Sequence, residues 1–390
     1  MISLFRWFSS LMVLFLLGAT ASHSQFLETF DGEPKSEWVT FTGDGEAVSS
    51  LEWHDGFARF VVDATNDKHN IWWAIMRTLS ADISDYEELA KPGYELKMEA
   101  RVRSSHAPRR LNMQLRTQRT TDNYAHLMEF DIPHSDKWHT ISMTTRQFDV
   151  KPGDQINAHI ALMDWGPLVY TLDVDYVRVD IVNVSDTTPD KGEQVPYPPP
   201  VPQPEEFAYS VPALETGMID AEYPEVNFRS WADGGTPILS VDNSKIILLR
   251  WNLNRYRNRT AEGYGMLELV PYSFSYTEET ALPELNRIRL VEILSGDESW
   301  IREEVTYHSF TMNEPIEQVL NTQMIIDIDI PLQEDTPRYI HIPRPVIQRM
   351  LNGRTKGIAL YPLGPLHASF YPGSSMGNPF RPRLYFNLSE

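Results

Sequence analysis

Tyr94-Glu-Leu-Lys-Met-Glu-Ala-Arg-Val-Arg103 alternates apolar and polar residues without a break. In an extended strand Tyr94, Leu96, Met98, Ala100 and Val102 share one face, and the charged residues take the other. That period of two belongs to a sheet with one face on a core. The pattern recurs nearby. Leu111, Met113 and Leu115 alternate with Asn112, Gln114 and Arg116, and residues 170–180 (YTLDVDYVRVD) form another such run. Lys91-Pro-Gly93 and Lys151-Pro-Gly153 read as the turns between strands. Between residues 25 and 185 no amphipathic stretch exceeds two helical turns. Many short half-buried strands predict an antiparallel β-sandwich.

The rest of the chain extends this reading. It has 390 residues, enough for two or three domains. Lys and Arg number 34 against 54 Asp and Glu, a net charge of −20. Such an acidic balance argues against a nucleic-acid partner, which calls for a dominant basic field. There is no cysteine, which removes disulfides, thiolate zinc sites and cysteine nucleophiles together. Residues 1–21 carry Arg6, an apolar run from Leu11 to Leu17 and the small-residue sequence Ala19-Thr20-Ala21. This is the pattern of a secretory signal peptide. The expected mature protein is secreted, periplasmic or on the cell surface, with no membrane span after cleavage.

Residues 186–206 (DTTPDKGEQVPYPPPVPQPEE) hold seven prolines. Proline fixes φ and removes a donor, so a semi-rigid extended spacer is expected between domains at 25–185 and 207–390. The second domain also reads as strands, at 245–251, 286–293, 324–330 and 357–360. Pro345-Val-Ile-Gln-Arg-Met-Leu-Asn-Gly353, opened by proline and closed by glycine, predicts one short helix. The fold class is therefore all-β: two sandwich or jelly-roll domains joined by a Pro-rich linker.

Several segments of the first domain resemble carbohydrate-binding modules of the galactose-binding-like jelly-roll type. They are Thr29-Phe-Asp-Gly32 with Trp38, His54-Asp-Gly-Phe-Ala-Arg-Phe60, Gly93-Tyr-Glu-Leu-Lys97, Trp138-His-Thr-Ile-Ser142 and Leu172-Asp-Val-Asp-Tyr-Val-Arg-Val179. The resemblance implies glycan binding. It also implies a structural calcium held by Asp31 and Asp175, with two solvated strand-end carboxylates as the alternative. The second domain is similar to DNRLRE-type domains, carbohydrate-binding module family 96. The similarity lies in Glu222-Tyr-Pro-Glu-Val-Asn227, Ile246-Ile-Leu-Leu-Arg-Trp-Asn252, Gly296-Asp-Glu-Ser-Trp300 with Val305-Thr-Tyr307, and the 345–353 segment with Gly357-Ile-Ala-Leu360. Where that family has an aromatic followed by Asp, this chain has Trp251-Asn252.

A sugar site needs flat rings for C–H faces and planar amides, arginines or acids for hydroxyls. The strand through residue 111 offers Asn112, Gln114, Arg116 and Gln118 on its polar face, unless it is an ordinary wet strand. Trp72 and Trp73 are adjacent, so in a strand they point to opposite faces and one of them is free to meet a ligand. Trp165, before Gly166-Pro167, is a loop ring that either stacks on sugar or folds back on the core. Tyr124 and His126 are further candidates. Residues 101–119 hold six arginines and no acid. These predict an acidic polysaccharide, uronate or sulfated, unless they pair internally. Arg250, Arg255, Arg257 and Arg259 beside Tyr256 form a second basic run.

Catalysis has less support. Asp327 and Asp329 sit at i and i+2 on a strand. Tyr307-His308 near Arg302, or His159, could serve a lyase. No metalloprotease, nucleophile-elbow or phosphate-loop motif is present. Three readings remain: a two-module polysaccharide-binding protein, a polysaccharide lyase or glycoside hydrolase with a targeting module, and a structural or adhesion protein.

Overall fold

A computed structural model of the chain describes residues 24–32, 37–42, 46–67, 72–79, 82–121, 125–135, 137–163, 168–195, 199–276, 287–321, 326–329, 333–364, 366–373 and 380–389. The leader at 1–21, Tyr124 and Trp165 lie outside these residues.

The first domain runs β1 (Ser24–Glu28), β2 (Trp38–Phe41), β3 (Val48–His54), β4 (Phe57–Asp63), β5 (Trp72–Thr78), β6 (Tyr94–Ser104), β7 (Arg109–Thr117), β8 (Leu127–Ile132), β9 (His139–Thr144), β10 (Ile156–Met163), β11 (Val169–Asn183) and β12 (Glu193–Val195). One sheet has the order β3-β4-β11-β6-β9, with β1 also on β11. The other has the order β12-β8-β7-β10-β5-β2. Every pairing is antiparallel. Leu96, Met98, Ala100 and Val102 of β6 face Leu111, Met113 and Leu115 of β7 within one core, as the alternation predicts. Trp73, Phe60, Phe130 and Tyr170 fill the space between the sheets.

The Pro-rich stretch departs from a free spacer. Its first half folds onto the first domain. Lys97 reaches the Thr188 carbonyl, and the Asp190 carboxylate accepts from Thr144 N at 2.9 Å. Residues 193–195 then become the edge strand β12 on β8. Gly192, at φ +93°, allows this close approach. A Cβ there would stand 2.8 Å from the Ile141 side chain and 3.0 Å from Phe130.

In the second domain a four-stranded sheet pairs Tyr209–Pro212, Arg383–Leu388, Ala261–Leu269 and Arg338–Ile342 in that order. A five-stranded sheet runs Glu215–Asp220, Lys245–Arg250, Gly357–Pro362, Arg287–Ile293 and Asp327–Asp329. A three-stranded sheet of Leu239–Val241, Leu366–Phe370 and Pro271–Tyr276 completes the sandwich. The predicted helix is present as Arg344–Leu351, with Pro345 in its first turn. It packs on the four-stranded sheet, where a Cβ at Gly265 would collide with Ile347 at 2.5 Å. Two short helices that the alternation does not announce, Tyr307–Thr311 and Ile316–Val319, cover the far side of the five-stranded sheet with Trp300 and Phe310.

The two domains touch directly. Arg349 donates to the Pro108 carbonyl at 3.1 Å and Arg354 to the Ala107 carbonyl at 2.9 Å. Arg344 pairs with Glu193. No described helix is long and apolar enough to cross a membrane.

Candidate functional site

Strand pairing builds the site on the outer face of the β2–β12 sheet. Trp72 lies opposite Met163, and Met163 opposite Arg110. The next row holds Phe41, Ala74, Ala161, Asn112 and Glu129. The third holds Val39, Met76, His159, Gln114 and Leu127. Asn157 and Arg116 follow. The rows turn away from the core because their neighbours Leu111, Met113, Ile160 and Leu162 occupy it. The two alanines make a low floor between the rings on one side and the amides on the other.

The ring end is built by Trp72, whose indole is 5.1 Å from Phe41 and 5.9 Å from the His159 imidazole, centre to centre. Phe41 is 41% exposed, a large ring area left to solvent. Asn112 is 1% exposed, yet neither its Oδ1 nor its Nδ2 has a hydrogen-bond partner. His159 is equally buried, and its Nδ1 is likewise unpartnered. Gln114 donates Nε2 to the Ala125 carbonyl at 3.0 Å. Buried polar atoms are nearly always satisfied, and leaving one bare costs about 1–3 kcal/mol. Three such atoms lie on the same sheet face as the half-buried Trp72 ring and the exposed Phe41 ring.

Burial pushes the His159 imidazole down to about 4, and the Arg116 charge adds to the shift. Burial likewise takes His341 of the second domain down to about 4, with Arg110 contributing. Both rings are therefore neutral in the folded chain at neutral pH and can donate or accept. In the unfolded chain each titrates near 6.5. Between about pH 6.5 and 4 the unfolded state binds the extra protons, so acidification destabilises the fold, by up to about 1.4 kcal/mol per pH unit for each ring. Urea denaturation at pH 7 and pH 5 should show His341→Gln losing part of the wild-type pH slope. An unchanged slope would place the titration elsewhere.

The candidate residues separate once placed. Trp72, Asn112, Gln114 and Arg116 come together on this face. Trp73 does not: it is fully buried between the sheets, its Nε1 donating to Asp67 at 3.1 Å. Gln118 leaves the row to tie a loop, donating to Asp154 at 2.9 Å and accepting from Gln155 N at 2.7 Å. His126 turns to Phe148, ring centres 4.9 Å apart. His159 joins the face through its register on β10, which its sequence surroundings do not single out.

The arginine-rich segment is largely spent on internal pairs, which corrects the argument for an acidic ligand. Arg101 bonds Asp175 at 2.7 Å, and Arg103 bonds Asp173 at 2.7 Å. Arg110 holds Glu129 at 3.1 Å and Asp131 at 2.9 Å. Arg119 holds Asp154 at 2.6 Å and Asp149 at 3.0 Å. Arg109 is buried against Tyr170, and burial followed by the nearby Arg349 charge lowers it to about 10. Arg116 alone of the six has no partner among the described residues. In the second run Arg250 donates to the Trp300 carbonyl at 2.6 Å, and Arg255 lies 4.5 Å over the Tyr256 ring.

The two residues expected to hold calcium come together. Asp31 and Asp175 do line one cleft, with Glu99, Tyr176 and Arg178. But Asp175 is bonded to Arg101, while Glu99 accepts from the Tyr176 hydroxyl at 2.8 Å and from Lys191 at 2.7 Å. Calcium wants six to eight free oxygens. Among the described residues no three acids or histidines converge as a metal-binding group.

Three of the catalytic candidates, Asp327, His308 and Arg302, hold other partners. Asp327 is clamped by Arg289 through two bonds of 2.7 and 3.0 Å. His308 contacts exposed Glu225 at 2.6 Å, and Arg302 donates to the Arg229 carbonyl. The Asp329 side chain lies outside the described residues.

No protein-family model matches the chain, and no curated protein does. Its shape is similar to several solved carbohydrate-binding modules, at low scores. The CBM22-1–CBM22-2 tandem of Paenibacillus barcinonensis Xyn10C is matched over 95% of this chain and 98% of that one, with 10% identity and a TM-score of 0.27. The family 11 module of Clostridium thermocellum, solved with a β-1,3-1,4-mixed-linked tetrasaccharide, is matched over 39% and 92%, with 13% identity and a TM-score of 0.26. A CBM4 structure is matched over 37% and 86%, with 16% identity and a TM-score of 0.27.

Proposed function

We propose that this is a non-catalytic polysaccharide-binding protein whose first domain grips a glycan chain on the outer face of the β2–β12 sheet. The observation that carries this reading is Asn112, buried and unbonded at both amide atoms on the sheet face that also carries Trp72 and His159. A sugar hydroxyl both donates and accepts, which is what an amide oxygen and nitrogen side by side require. The Trp72 and Phe41 rings supply apolar surface for the sugar's C–H face. Arg116 leaves room for one carboxylate or sulfate contact, but charge is a minor part of this face. Export, read from residues 1–21, belongs to the same proposal, because polymeric glycans lie outside the cell.

The test is electrophoresis of the full chain through gels containing neutral, uronate-bearing or sulfated polysaccharides, with the same mixtures assayed for new reducing ends and unsaturated products. Expected is retention without product. Retention should survive 1 M salt, where surface charge attraction is largely screened. No retention in any gel, or product formation, overturns the reading. Retention lost at 1 M salt would return the acidic-glycan account.

A further inference from the structure

The second domain carries a similar face of its own. On its four-stranded sheet Leu267, Ile340, Ile342 and Leu384 point into the core. Register then sends Tyr339, His341, Glu268 and Tyr385 to the other side. The Tyr264 ring stands 4.7 Å from His341. Tyr264 and Tyr385 donate their hydroxyls to Glu206 and Glu268, each at 2.5 Å. The aromatic cover is close enough that Met266, which lies on this outer side, has no exposed surface.

This second face meets the first. A cavity of about 260 Å³ between the domains is lined by Arg110, Met163 and Val195 on one wall and by Tyr339, His341 and the Pro202 stretch on the other. Met163 and Arg110 are the residues that continue the Trp72 row. From the Trp72 strand to the β12 edge is four strand spacings, roughly 19 Å. The Arg344–Glu193, Arg349–Pro108 and Arg354–Ala107 contacts hold the two walls together.

We infer that the glycan track does not stop at the first domain: it crosses the joint, and Tyr339, His341 and Tyr264 form further subsites for the same chain. The inference rests on the proposed sugar-binding reading and adds the ligand's class. The joint cavity sets Arg110 and Arg338 against Glu129 and Asp327, and Glu206 and Glu268 beside the tyrosines add two more acids, so anions are repelled and the chain that crosses is uncharged. Only chains long enough to span the joint gain from the second domain, through the effective concentration set by the first contact.

The probe is a size-graded hydrolysate of the neutral polysaccharide best retained in the gels, separated into fractions of two to four and of seven to eight units and titrated calorimetrically into the full chain. For wild type the long fraction should bind at least about tenfold tighter than the short one. Tyr339→Leu and His341→Gln should remove that gain and leave short-fraction affinity unchanged, which also shows that the first domain is folded. A length gain that persists in both variants, or no gain while the short fraction binds, overturns the inference and leaves the first-domain site standing. Retention of acidic polysaccharides alone also overturns it. If nothing is retained, the sugar-binding reading fails and takes this one with it.

Discussion

Replacing Arg349 by alanine should destabilise the second domain by about 3–5 kcal/mol, a large part of a typical domain's stability. Arg349 is 4% exposed and Glu292, in the strand Arg287–Ile293, is 1% exposed. They are joined by two bonds, Nε to Oε1 at 2.8 Å and Nη2 to Oε2 at 2.7 Å. Thr355 and Asn321 supply further donors to the same carboxylate. Burial pushes the Glu292 carboxyl up, but Arg349 outweighs it and holds the group at about 2. Without Arg349 a charge is stranded in the interior, and the bond to the Pro108 carbonyl is lost with it. The check is the urea midpoint of wild type, Arg349→Ala and the double variant Glu292→Met with Arg349→Met. The double variant should recover much of the loss, since an apolar pair strands nothing. A small loss in Arg349→Ala would mean that water reaches Glu292 and that the joint is looser than described.

Trp72 and its neighbour Trp73 should fail in opposite ways. Trp72→Ala removes a half-exposed ring, so the fold tolerates it. Binding should drop by roughly 10–100-fold, corresponding to about 1.5–3 kcal/mol of ring surface covered by sugar. Trp73→Ala opens a cavity in the core and loses the bond to Asp67, at a cost of about 3–5 kcal/mol in stability. Thermal unfolding and gel retention measured on both variants separate the effects. Full retention by a folded Trp72→Ala protein would remove the ring from the site.

The alternation in 94–103 and 111–116 was sufficient to read the first sandwich, because a sheet with one face on a core sets its sequence period directly. Pro345 and Gly353 bracketed the helix for equally local reasons. What the sequence hid was non-local. Arg103 meets Asp173 across paired strands and Arg119 meets Asp154 between two loops, so a run that looks basic along the chain is largely neutralised in space. Asp175 is taken by Arg101 at a register shift in the β6–β11 pairing, which no spacing rule announces. The proline-rich segment concealed the edge strand β12, whose three residues are too few to show a period. The adjacent tryptophans were known to diverge, but the direction depended on Leu162 lying opposite Trp73 and Met163 opposite Trp72.

The most direct measurement is a ¹H–¹⁵N titration of the labelled chain with a neutral oligosaccharide, following the indole N–H signals and the side-chain amides. The Trp72 indole and the Asn112 and Gln114 amides should move together and saturate at one affinity, while the Trp73 indole stays still. Saturable shifts confined to other tryptophans, with Asn112 unmoved, would show that sugar docks elsewhere or not at all.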